Sequence, residues 1–333
     1  MRTATGKVQS VLSFLIAVAA LLVSPLTAWA QEKFPIAVFP FPSVTNMYAD
    51  LIIAKGFDKA NGLQVEPISY GTGGAMWAGL AKGEIAVHNM SPFLLQKMRA
   101  DKIPIRMFST FLGMGWIVVT KNPQVKQFAD LKGKTIAATT AFSNYDYLTI
   151  YAKKLGISFK NRDVNVLDAT SSLAQAHLEA GRVDAILTWD PTATMILNKH
   201  ADVRTILHGA DAWKSVSGTS GWDLGLVVRM DYLKAHPGIF RKIFKMYQDA
   251  AKFSQSNPAE TDAIITSGKY NSKGIPPGTI TAGIKANRLH LEVKPTWDKA
   301  TNAEIWKMLQ VGVEEGYIPK LPDKEAVFNA EPK

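Results

Sequence analysis

Short apolar runs recur along this chain, each separated from the next by a stretch with helical spacing. The pattern is clearest between residues 130 and 191, where three strand-like runs, 135–138, 164–167 and 185–188, have helical patterns between them. That order implies βαβ units, because parallel neighbours need a crossover long enough to hold a helix. The runs end in loops of small, polar or aromatic residues at 139–145, 168–172 and 189–191. Loops at the carboxyl ends of parallel strands are where open α/β sheets bind ligands.

The preceding segment follows the same plan. A strand at 34–39 runs into Pro40-Phe41-Pro42-Ser43, and helical spacing over 44–61 puts Ala49, Ile52, Ile53, Phe57 and Ala60 on one face before Gly62 stops it. A strand at 63–70, the loop Gly71-Thr72-Gly73-Gly74, a helix at 75–82, a strand at 85–88 and a helix opened by Ser91-Pro92 follow. Strands at 105–112 and 116–120 flank Gly113-Met114-Gly115. The two blocks match in register. Ile36-Ala37 answers Ile136-Ala137, Ser43 answers Ser143, and Asn46 answers Asp146. Leu80, Gly83 and Ile85 repeat as Leu178, Gly181 and Val183, and Ser91-Pro92 repeats as Asp190-Pro191. Ser or Asp before Pro is a helix-start signal, so the repeat predicts two lobes of one strand–loop–helix plan.

Residues 201–221 read as a polar connection with an edge strand at 203–207, and 224–229 as a strand returning the chain to the first block. Helical patterns then cover 238–256, 258–267, 278–289 and 297–315. Phe240, Phe244, Tyr247 and Ala251 form an apolar stripe wide enough to pack on a sheet.

Composition narrows the chemistry. Among the 333 residues there is no cysteine, which removes disulfides, thiolate metal sites and cysteine nucleophiles. The six histidines are scattered without an i,i+4 pair, so no metal and no cofactor is expected. Arg2 and Lys7 precede an apolar run over 11–23 broken only by Ser13, and Ala28-Trp29-Ala30 ends the segment. This is the pattern of an export signal cleaved after Ala30, and the run is too short for a membrane-spanning helix. The mature protein is expected in a bacterial periplasm, without stable membrane insertion. Removing the two basic residues of the signal takes the net charge from +10 to +8. Lys and Arg are spread rather than clustered, so nucleic acid is not an expected partner.

The segments DLKGKTIA, LEAGRVDAILTWDP and LGLVVRMDYLKAHP, with YGTGGAMWAGLAKGEIAV before them, resemble the solute-binding proteins of ABC importers. The similarity is to the sulfonate, taurine, nitrate and thiamine-precursor branch, the SsuA/TauA/NMT1-like group, over essentially the whole mature chain. It implies a two-lobed periplasmic binding protein type II fold, each lobe a mainly parallel sheet flanked by helices, with the ligand cleft between lobes. On the family pattern lobe one is 31–114 plus 227–333 and lobe two is 115–226. The implied partners are a small-molecule ligand and a permease with its ATPase, and the protein is expected to act as a monomer.

The candidate ligand-binding residues lie at loop ends. Gly73 and Gly74 open a helix, where free N–H groups favour an anion; relatives hold a sulfonate or carboxylate there. Ser43, Asn46, Ser91, Ser143, Asn144 and Tyr145 stand where strands give way to helices; such residues cap helices and also present polar groups to a ligand. Asp190 reads first as a cap and otherwise as a partner for a ligand ammonium, with Asp223 a second such partner. Trp189 follows its strand directly and reads as a lid or stacking platform. Trp116 adds an aromatic wall, as do Phe41, Trp77 and Trp222. No catalytic constellation is found, so a binding protein is expected, with an exported enzyme on the same fold as the alternative. A sulfonate- or carboxylate-type anion is the expected ligand from the helix-start loops and the basic charge; an aromatic or heteroaromatic solute is the alternative from the Trp- and Phe-rich loops.

Overall fold

The computed structural model describes residues 31–332; the export signal expected at 1–30, its cleavage after Ala30, and Lys333 lie outside the described residues. The first block contains β1 (Glu32–Val38), α1 (Val44–Lys55), α2 (Phe57–Ala60), β2 (Leu63–Ser69), α3 (Gly73–Lys82), β3 (Val87–Met90), α4 (Pro92–Ala100) and β4 (Ile105–Gly113). The middle block contains β5 (Ile117–Thr120), β6 (Thr135–Ala138), α5 (Ser143–Lys154), β7 (Asn165–Asp168), α6 (Ser171–Glu179), β8 (Ala185–Thr188), α7 (Thr192–Lys199), β9 (Arg204–His208) and α8 (Gly209–Ser217). The last contains β10 (Trp222–Arg229), α9 (Met230–Ala235), α10 (Ile239–Ser256), α11 (Pro258–Thr266), α12 (Thr279–Lys285) and α13 (Lys299–Glu314).

Helix starts form where the sequence supplies a short polar side chain. Ser43, Thr72 and Ser91 accept hydrogen bonds from the backbone N–H groups of Thr45, Ala75 and Leu94 at 3.2, 3.2 and 3.1 Å. Each such cap stabilises its helix by about 1 kcal/mol. The single helix predicted over 44–61 is two, because Gly56 adopts φ 66° and closes α1 with a left-handed turn. The polar connection predicted at 201–221 holds a helix, α8. It begins with glycine and has no side-chain cap, so only buried Ala212 and Trp213 betray it.

The strand order of the larger sheet is β7-β6-β8-β5-β9. β6 pairs in parallel with both β7 and β8, as the 130–191 pattern predicts, and β5 joins β8 and β9 antiparallel. In a second sheet β10 lies between β3 and β4, and both ladders are antiparallel; β1 and β2 pair separately. β3 and β4 therefore run in the same direction, and β10, returning from the far block, is the strand that inserts between them in the opposite one. The chain thus passes from one sheet to the other between β4 and β5, and returns between β9 and β10.

Both sheets bury aliphatic faces, and a shared core lies where α4, α5, α8 and α13 meet. There the Phe93 ring lies 5.4 Å from Tyr147 and 6.1 Å from Tyr317, and Tyr147 meets Trp213 edge-on at 5.1 Å. At the passage between sheets, Gly115 is packed so closely that a Cβ would stand 1.8 Å from the Arg288 carbonyl oxygen.

Candidate functional site

A cavity of about 130 Å³ opens among loops from both blocks. The first block contributes Phe39, Phe41, Ser43 and Thr45 around the start of α1, Met76 and Trp77 from α3, and His88 to Ser91 from the end of β3. The middle block contributes Ala141 to Asn144, Asp146 and Trp189. Asp223 and Leu224, at the start of β10, close it.

Its walls are aromatic. Phe39 and Phe41 stack at 4.9 Å, and Trp77, Phe142 and Trp189 form an edge-on series with centroids 6.0 and 5.7 Å apart. The series joins α3 to the loops of the middle block. It depends on Gly73, where a Cβ would stand 2.8 Å from the Phe142 ring.

Among the eleven residues expected to bind ligand, Ser43, Ser91, Ser143, Asn144 and Trp189 line this cavity. The other six lie elsewhere. Asn46 is fully buried and clamps the 39–41 loop: its amide accepts from Phe39 N–H at 2.8 Å and donates to the Phe39 and Phe41 carbonyls at 2.8 and 3.2 Å. Gly73 supports Phe142 from behind, and Gly74 is exposed next to it. Tyr145 stacks on Phe159 at 5.8 Å. Trp116 is core: its indole N–H donates to Met114 Sδ at 3.1 Å, and its ring fills the space that Gly209 leaves. Asp190 turns away from the cavity. Its Oδ1 accepts from Thr194 N–H at 3.0 Å, keeping the predicted capping role, and its Oδ2 accepts from Arg288 Nε at 3.0 Å.

The cavity is also faced by Asn89, His88 and Asp146, which the sequence did not single out as ligand-binding, and by Asp223, expected as a second partner for a ligand cation. Asn89 donates to Thr45 Oγ1 at 2.9 Å. His88 is 4% exposed, and burial pulls its imidazole down to about 3, so it is neutral. Asp223 accepts from Ser143 Oγ at 2.8 Å; burial, against that bond and with the charge of Asp146, pushes its carboxyl up to about 7. Burial likewise pushes Asp146 up to about 6, with Lys97 pulling the other way. The starts of α1, α4 and α5 all border the cavity, the first two already capped by Ser43 and Ser91. No cluster of metal-ligating side chains occurs among the described residues.

The description of the NMT1/THI5-like family fits residues 42–261, well over half the chain. The chain belongs to the NMT1/THI5-like family. Within reach of this family, it is 25% identical over 272 residues to the taurine-binding periplasmic protein of Escherichia coli K12, covering 79% of this chain and 81% of that one. It is 29% identical over 172 residues to a putative thiamine biosynthesis protein of Haemophilus influenzae Rd, covering 50% and 52%. Its fold matches the alkanesulfonate-binding protein SsuA of Xanthomonas axonopodis pv. citri bound to MOPS, with TM-score 0.72 and 17% identity, over 90% of this chain and 98% of that one. The fold is that of the periplasmic binding proteins.

Proposed function

We propose that this NMT1/THI5-like protein is the extracytoplasmic solute-binding component of an ABC importer. It captures one small organic solute in the cavity, closes its lobes around it by hinge motion, and delivers it as a monomer to a permease with its ATPase. The lobes are 31–114 with 227–333, and 115–226, hinged at the connection from β4 to β5 and within β10, just after the chain returns from β9. Export of the chain to the periplasm, with the signal removed after Ala30, is part of this reading.

The observation that carries it is one aromatic-walled cavity whose lining comes from both blocks and from β10. At about 30 Å³ per liquid water, its volume has room for roughly four water-sized groups. The ligand that this geometry supports best has an aromatic or heteroaromatic body lying against Phe39, Phe41, Phe142 and Trp189. A sulfonate- or carboxylate-type anion is the second reading, supported by the helix starts that border the cavity and by relatives named for binding taurine or alkanesulfonates. The Gly73-Gly74 loop, expected to anchor an anion, does not border the cavity, which shifts the balance to the aromatic reading.

A thermal-shift panel of aromatic amines, aromatic sulfonates and aliphatic sulfonates tests the proposal. A true ligand at 100 times its Kd stabilises the fold by about 2.7 kcal/mol and is recovered unchanged after long incubation. Chemical conversion of the compound would instead make the protein an enzyme.

A further inference from the structure

Outside the cavity lining, one buried cluster joins the two proposed lobes beside the connection between the sheets. Arg288 follows α12 and Asp190 precedes α7, so under the proposed boundaries they stand on opposite lobes. Arg288 Nε donates to Asp190 Oδ2 at 3.0 Å, and its Nη2 donates to Thr194 Oγ1 at 2.6 Å. Asp190 in turn accepts from Thr194 N–H at 3.0 Å, so the guanidinium holds two residues of one helix start. The paired side chains are 12% and 1% exposed, whereas those of Lys153–Glu315, which also join the lobes, are 62% and 27% exposed. A buried pair is screened little and is costly to break, while an exposed one contributes little.

The backbone at Arg288 is fixed as firmly. Its N–H donates to the Gly283 carbonyl at 3.0 Å, and its own carbonyl packs on Gly115 in the β4–β5 connection. Gly283, on α12, lies directly against Asp190: a Cβ there would stand 3.1 Å from the carboxyl carbon. Next to Asp190 in the chain, Trp189 lines the cavity and meets Phe142 edge-on, and Phe142 meets Trp77 of the other lobe. The orientation that closes the Arg288–Asp190 pair is therefore also the one in which rings of both lobes meet across the cavity.

We propose that Arg288 is an interlobe latch: by holding Asp190 and Thr194 it favours the orientation that encloses the cavity, without touching the solute. This deepens the proposed hinge motion and rests on those lobe boundaries. Hydrogen bonds at 2.6 and 3.0 Å tolerate little displacement, so rotation of one lobe against the other breaks them. An equilibrium between two orientations shifts only through contacts that differ between them, and this pair is such a contact. The latch sets how far the unliganded protein stands open. It thereby scales the affinity for any solute by one common factor.

The chain has no cysteine, so two introduced ones carry a pair of spin labels without background. Ala75→Cys on α3 and Leu173→Cys on α6, both exposed, place one label on each lobe. Pulsed dipolar spectroscopy then reads the interlobe distance in the dialysed protein. Arg288→Met is expected to raise the ratio of open to closed populations about tenfold. Arg288→Lys, which keeps the charge and loses the fork, is expected to raise it less, and serves as the second variant should Arg288→Met fold poorly. The double variant Asp190→Asn, Arg288→Met is expected to regain part of the melting temperature and none of the closed population, an outcome that a merely stabilising pair does not give. Phe142→Ala cuts the ring contact across the cavity and is the reference for lobe motion, expected to widen the distance by itself. Melting curves establish that each labelled variant is folded. Arg288 variants that match wild type while Phe142→Ala widens the distance overturn the latch and leave the hinged lobes standing. Distances unchanged in all of them overturn the latch and the hinged reading together.

Discussion

Arg288→Met is the perturbation whose size the structure sets most clearly. The Arg288–Asp190 pair is closed at 3.0 Å, with side chains 12% and 1% exposed. Arg288 also donates to Thr194 Oγ1 at 2.6 Å, and Asp190 caps α7 through Thr194 N–H. Under the proposed boundaries the pair joins the lobes next to the wall residue Trp189. Removing the guanidinium leaves a buried carboxylate with one hydrogen-bond donor, and losing one partner of a buried pair costs about 3–5 kcal/mol. The retained cap bond argues for about 3. At roughly 2 °C per kcal/mol for a chain of this size, the melting temperature should fall by about 6 °C. Lys33→Met provides the control, since the Lys33–Glu66 pair is 73% and 41% exposed and such pairs contribute about 0–1 kcal/mol. Calorimetric melting of wild type, both single variants and the double variant Asp190→Asn, Arg288→Met measures these terms. The double variant should be less destabilised than Arg288→Met alone, because no unpaired charge remains. Equal losses from Arg288→Met and Lys33→Met would refute the reasoning.

Further outcomes follow from the same geometry. Trp189→Ala removes the last ring of the Trp77–Phe142–Trp189 series and should weaken ligand binding by about tenfold while changing stability little, since the ring is only partly buried; equal affinity in a titration would sink its role as a wall. Asn46→Ala frees one N–H and two carbonyls of the Phe39–Phe41 loop and should cost about 1–3 kcal/mol in urea unfolding, together with affinity. The unliganded protein should become more stable as pH falls from 8 towards 5. Asp223 and Asp146 titrate near 7 and 6 when folded, above ordinary carboxyls, so over that window these two hold more protons folded than unfolded, outweighing the opposite contribution of buried His88 below about 6.5. Melting temperatures of wild type and Asp223→Asn across this range check the sign, and the variant should show a flatter rise.

The βαβ core of 130–191 was readable because its signals are local: alternating runs, glycine stops and cap residues report on their own neighbours. Gly83 and Gly181, matched across the two blocks, both take left-handed backbone next to their helix ends, at φ 85° and 67°. The same register misleads about chemistry. Ser43 caps α1, but its counterpart Ser143 donates to Asp223, a residue 80 positions away. Asn46 clamps a loop, whereas Asp146 faces the cavity. His88 carried no local signal, because its role comes from burial and from β10 inserting beside β3; Asp223 was legible as a partner for a ligand cation, but not its bond to Ser143. Trp189 was found because an aromatic residue directly after a buried strand has few other uses. Asp190 read first as a cap and otherwise as a partner for a ligand ammonium; its pairing with Arg288 was not visible, because Arg288 lies 98 positions away.

Native mass spectrometry of the protein purified from its own host tests the central claim most directly. The account predicts a one-to-one complex with a small molecule that contains an aromatic ring, is released intact on denaturation, and is absent from the Trp189→Ala variant. A spectrum showing only the bare chain under gentle conditions, with the bare chain also unshifted by every compound of the thermal panel, would contradict it.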